Sequence, residues 1–122
     1  MMSKEKNYVV KSVEVTDEHL ENILVGCFEG GSNYWAEKVE VKDDDYKGAE
    51  FASGVISKGG ELYITTDGDQ SVHLLTKNSL INGLQQFINE SKRFGHLWPD
   101  KGDAGTDDMI LQYALFEEVV YG

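Results

Sequence analysis

At 122 residues, 40% of them apolar and 27% charged, the chain has the length of one folded domain, residues 1–122, and a globular rather than disordered composition. A net charge of -11, with Arg93 the only arginine, leaves no basic run, so nucleic acid and anionic membranes are excluded as expected partners. A single cysteine, Cys27, leaves no intrachain disulfide, and no apolar run suits a signal peptide or a membrane span, so the expectation is a soluble intracellular protein.

Val9, Val13 and Val15 lie in a β-branched stretch that reads as an early strand. Thr16 and Asp17 then offer N-cap oxygens to a helix whose apolar stripe is Leu20, Ile23, Leu24, Cys27 and Phe28. Gly30-Gly31 stops that helix.

From Trp35 to Leu75 the apolar period becomes two. Val39 and Val41, the run Phe51 to Ile56, Leu62 and Ile64, and Val72 and Leu74 read as the strands of an antiparallel meander. Ser57-Lys58-Gly59-Gly60 and Thr66-Asp67-Gly68-Asp69 supply turns, the Asp67-Gly68 pair being a hairpin signal. Asp43-Asp44-Asp45 reads as a solvated loop.

Helical spacing returns after Thr76 with Leu80, Ile81, Leu84, Phe87 and Ile88, and the helix is expected to end near Gly95. His96 to Gly105, with Trp98 and Pro99, reads as an ordered loop. Thr106 or Asp107 is the expected cap of a last helix carrying Met109, Ile110, Tyr113, Ala114 and Phe116. The apolar tail Val119-Val120-Tyr121 is expected to dock on the sheet or in a subunit interface. The pattern predicts an α+β fold: an antiparallel sheet with a short N-terminal helix and two C-terminal helices.

Reactive chemistry has little support. Cys27 sits on an apolar helix stripe, His19, His73 and His96 are scattered, and no metal-ligand spacing, nucleophile elbow or phosphate loop occurs. No catalytic residue, metal or cofactor is expected. Binding has more. Glu29-Gly30-Gly31-Ser32-Asn33-Tyr34-Trp35 joins a helix stop, an amide and two aromatics; it is either a ligand loop or a glycine cap over core aromatics. Lys92 and Arg93 either complement a helix C-terminus or offer the one planar fork for a phosphate, with Phe94 beside it. Thr106-Asp107-Asp108 is a cap or a ribose acceptor.

Three blocks carry a family resemblance: residues 29–35, the turn Gly54-Val55-Ile56-Ser57-Lys58-Gly59-Gly60, and residues 107–122, Asp107-Asp108-Met109-Ile110-Leu111-Gln112-Tyr113-Ala114-Leu115-Phe116 and onward. From about Tyr8 onward the chain resembles the first-described Thoeris anti-defence family of phages and prophages. The resemblance implies a sponge acting in the cytoplasm of an infected bacterium. Such a protein holds glycocyclic ADP-ribose made by a TIR-domain enzyme, does not cleave it, and so keeps the defence effector silent. It also implies homodimers that can build hexamers as trimers of dimers. Some members hold cyclic trinucleotides in an arginine-rich site; here Lys58 and Met109 stand in those blocks with no arginine near in sequence, a departure from that pattern. On this reading Phe28, Tyr34, Trp35 or Phe94 stacks on adenine and Arg93 meets the diphosphate. Asn33, Asn89 or Asp107 then meets ribose hydroxyls. The competing expectations are an acidic inhibitor of a basic host protein, which the charge suits, and a nucleotide hydrolase.

Overall fold

The computed structural model describes residues 14–90 and 103–122. The expected early strand at Val9 and Val13 lies outside them, and Val15 is irregular backbone packed against the core. Helix α1 spans Asp17–Gly26. Its start is a reciprocal cap: Thr16 Oγ1 accepts from His19 N, and His19 Nδ1 accepts from Thr16 N, each at 3.1 Å. Histidine thus fills the place usually held by Glu or Gln in such a box. Asp17 and Glu18 add negative charge at the positive end of the helix dipole. Leu20, Ile23 and Leu24 are buried, and Cys27 continues the stripe into a wider π-helical turn, Cys27–Gly31. Gly30 ends it with φ of 152°, an angle that a side chain would oppose.

The sheet has three antiparallel strands in the order β1 (Ala36–Val41), β2 (Leu62–Thr66), β3 (Val72–Leu75). Val41 pairs with Leu62, which pairs with Leu75; Val39 pairs with Ile64. These residues form the core-facing side, whereas Val72 and Leu74 on the alternate positions are exposed. A register shift between Ala36 and Lys38 lets β1 start with a bulge. The β2–β3 connection runs from Asp67 to Ser71 and is closed by Asp69. Its carboxylate accepts from Thr66 Oγ1 at 2.5 Å and Ser71 N at 3.1 Å, bonds that hold its pKa down at about 2.

The expected strand at Phe51 to Ile56 is corrected. Ala52–Gly54 is a short 3-10 turn, followed by further turns to Gly59. Gly54 N bonds Phe51 O and Val55 N bonds Ala52 O, so the backbone is satisfied locally and needs no sheet partner. Residues 54–57 are all buried, with none of the alternation a half-buried strand requires, while Phe51 is exposed.

Helix α2 spans Lys77–Glu90, and Thr76 and Ser79 cap it reciprocally at 3.1 and 2.9 Å. Leu80, Gly83, Leu84 and Phe87 are buried; Ile81, expected in the stripe, is exposed. The expected extension to Gly95 lies outside the described residues. Helix α3 spans Ala104–Phe116. Its cap is Asp103, which accepts from Thr106 N at 2.9 Å, so the start is earlier than Thr106 or Asp107, and Ala104 and Gly105 belong to the helix rather than to a loop. Asp103 is extended and carboxylate-bearing, a better cap than Thr106, which is itself buried in the first turn. α2 and α3 approach closely at Gly83, where a Cβ would stand 2.5 Å from Ala114 N. Phe116 of α3 meets His73 of β3 edge-on, at 4.9 Å between centroids. Helices and the inner sheet face share one core, an α+β arrangement with one helix before the sheet and two after it.

Candidate ligand-binding site

The loop after α1 is built by its own backbone. Ser32 N bonds Cys27 O at 2.9 Å, and Trp35 N and Ala36 N both bond Ser32 O. That tight turn aims three consecutive kinds of donor at one carboxylate on α3. Asp108 Oδ1 accepts from Ser32 Oγ at 2.8 Å and Trp35 Nε1 at 2.7 Å; Oδ2 accepts from Tyr34 OH at 2.6 Å and Gln112 Nε2 at 3.1 Å. Asp108 is 6% exposed, and four donors use both oxygens, the condition under which a buried charge is tolerated.

Gln112, one turn along α3 and fully buried, extends this network to the tail. Its Oε1 accepts from Val120 N at 2.7 Å and Tyr121 N at 2.8 Å, and its Nε2 donates to Tyr121 O at 3.2 Å. Tyr121 then lies parallel to Trp35, 5.2 Å between centroids and 2° between planes. The tail is therefore docked, as expected, but on Trp35 and α3. Glu117 makes the reversal possible with a left-handed φ of 64°, its carbonyl held by Gln86 Nε2 at 2.7 Å.

Between the tail and the first turns of α3 is a cavity of about 410 Å³. Met109, Val119 and Tyr121 give it apolar walls, and Asp103, Thr106 and Asp108 its polar ones. No cationic side chain lines it among the described residues.

The expected site residues separate into groups. Asn33, Tyr34 and Trp35 are brought to this network. Asn33 is exposed, Tyr34 is half exposed with its hydroxyl turned inward, and Trp35 is 1% exposed. Trp35 is thus corrected from stacking face to core residue, because Tyr121 covers its ring. The Tyr34 hydroxyl is pushed up to about 12 by desolvation of that inward end, then by Asp108. Phe28 is half-buried on the turn after α1 and packs against the core. Asp107 points away from the cavity, toward Gly26 of α1. Burial and the nearby charge of Asp103 push its carboxyl up to about 7. Asn89 is exposed on the last turn of α2 and accepts from Gln85 Nε2 at 3.3 Å. The adjacent Gln86 contact places that end of α2 by Glu117, at the opposite end of α3 from Asp107 and about 14 Å along the axis. Arg93 and Phe94 lie outside the described residues.

Sequence reading missed Gln112, Met109, Tyr121 and the part of Asp108 that matters. One signal was present: Asp108 and Gln112 are four apart, so two polar side chains share one face of an apolar helix. Cys27, 0% exposed, donates its thiol to Asp107 O at 3.2 Å, and burial pushes its pKa far up, the reverse of an activated nucleophile. Among the described residues no three His, Cys, Asp or Glu side chains cluster as metal ligands, and no helix is long and apolar enough to cross a membrane. What the arrangement offers is a shaped, partly apolar recess held by a saturated polar network. In comparisons with protein-family models, curated proteins and solved structures, nothing matches this chain.

Proposed function

We propose that this protein is a sponge: it binds and sequesters a cyclic ADP-ribose isomer of the glycocyclic type without cleaving it, as its resemblance to the Thoeris anti-defence family implies. The observation that carries the reading is the meeting of two sequence blocks, residues 29–35 and 107–122, at the Asp108 and Gln112 network beside the cavity of about 410 Å³. Sequestration demands affinity, and a nanomolar constant corresponds to roughly 12 kcal/mol. One such recess covers only part of a dinucleotide, so the proposal includes a homodimer in which a second copy completes the enclosure.

The test is equilibrium dialysis against glycocyclic ADP-ribose, followed by heating the loaded protein and chromatography of what is released. The sponge reading expects retention and return of intact ligand. Absence of retention removes it, and altered ligand replaces it with a hydrolase.

One observation favours a second reading. The lack of cationic side chains around the cavity, in a chain of net charge -11, suits an acidic surface that blocks a basic protein. That reading expects no retained nucleotide and a salt-sensitive complex with a basic host factor.

A further inference from the structure

The cavity beside α3 is selective about which part of a nucleotide can enter it, and the argument rests on the nucleotide ligand just proposed. Asp108 has no acceptor capacity left, since four donors occupy its two oxygens, yet its negative charge stands in the wall. Asp103, exposed at the start of α3, accepts from Thr106 N, a bond that keeps its carboxyl below the usual range and hence ionised at neutral pH. A phosphate in this recess meets two carboxylates and, among the described residues, no cation. A neutral base and its sugar meet the opposite: apolar walls from Met109, Val119 and Tyr121 for the ring, and an exposed carboxylate for hydroxyl donors. A volume of about 410 Å³ lies at the low end for small-molecule sites, enough for a portion of a dinucleotide.

The geometry points to this cavity as a nucleoside subsite: it takes the uncharged base-and-ribose end of the ligand and leaves the diphosphate outside. Asp103 accepts from ribose hydroxyls, and Met109, Val119 and Tyr121 cover the base. This role falls to residues other than Trp35, whose ring is covered, and Asp107, which faces α1.

Full-length protein labelled with 13C-methyl methionine reports on the cavity through Met109; the other methionines are Met1 and Met2, and a Met109→Leu variant assigns the signal. Adenosine, 2′-deoxyadenosine and inorganic pyrophosphate are titrated separately at pH 7.5. Adenosine is expected to shift the Met109 methyl saturably, 2′-deoxyadenosine to do so about tenfold more weakly, and pyrophosphate to leave it unmoved. Asp103→Asn retains a capping side chain and so the start of α3, and is expected to weaken adenosine about tenfold. A pyrophosphate shift, no saturable adenosine shift, or equal adenosine binding by Asp103→Asn overturns the subsite. Dialysis with glycocyclic ADP-ribose is scored apart from this. Retained ligand with a silent Met109 removes the subsite alone, and a Met109 response without retention removes the sponge alone.

Discussion

Trp35 Nε1 donates to Asp108 Oδ1 at 2.7 Å, across 73 residues of sequence, and both partners are buried. The bond fixes the loop after α1 against the first turns of α3, and Ser32 and Tyr34 add two more bonds to the same carboxylate. Asp108→Ala leaves those donors without a partner in a site closed to water. The expected loss of stability is on the order of 3–5 kcal/mol, read by urea denaturation. Asp108→Asn keeps the shape but replaces one acceptor oxygen by a donor, so about half that loss is expected. An alanine variant as stable as the parent contradicts the network.

Gln112 is the only side chain given two amide donors by the tail, Val120 N and Tyr121 N. Gln112→Leu keeps the volume roughly and removes both. Hydrogen exchange at Val120 and Tyr121 is expected to accelerate by about tenfold or more, while β2 amides slow or quicken little. Unchanged exchange at the tail means it is held by the Trp35–Tyr121 stack alone.

Asp107 makes stability depend on pH in a defined window. Its folded carboxyl titrates at about 7 against 3.8 for the unperturbed group, so between those values the folded state binds more protons than the unfolded one. Stability therefore falls as pH rises through that window and levels off above it. For a half-buried group the drop is about 1–2 kcal/mol after allowance for solvent screening. Asp69 and Asp103, whose carboxyls are held low, act in the opposite direction and only below about pH 4. Denaturant midpoints at pH 5 and pH 8 should differ for the parent chain and converge for Asp107→Asn.

Cys27 is expected to be inert in the folded protein. It is 0% exposed, its thiol donates to a carbonyl, and desolvation disfavours the thiolate that a disulfide reagent needs. A chromogenic disulfide should titrate one thiol only after denaturation. Rapid reaction of native protein points to opening between α1 and α3.

The sequence by itself determined the elements whose signals are local. Thr16, Thr76, Gly30 and the Asp67-Gly68 turn each act on backbone groups within a few residues, so helix starts, a helix stop and a hairpin were legible. Where a residue's burial depends on partners distant in sequence, reading failed. Val55 and Ile56 are core residues on a turn, because α1 and the sheet close over them, not because they extend as a strand.

The site shows the same division. Tyr34, Trp35 and the segment from Asp107 onward were identifiable as residues of interest, but their duties were not. A tryptophan can stack on a ligand or fill a core, and only the arrival of Tyr121 on its ring decided between them. Asp107 and Asp108 are adjacent, yet a helix turns about 100° per residue, which sends one toward Gly26 and the other into four hydrogen bonds. Capping and turn preferences are written in neighbouring residues; the partners that saturate Asp108 and the tail that walls the cavity come from chain segments tens of residues apart, which packing alone brings together.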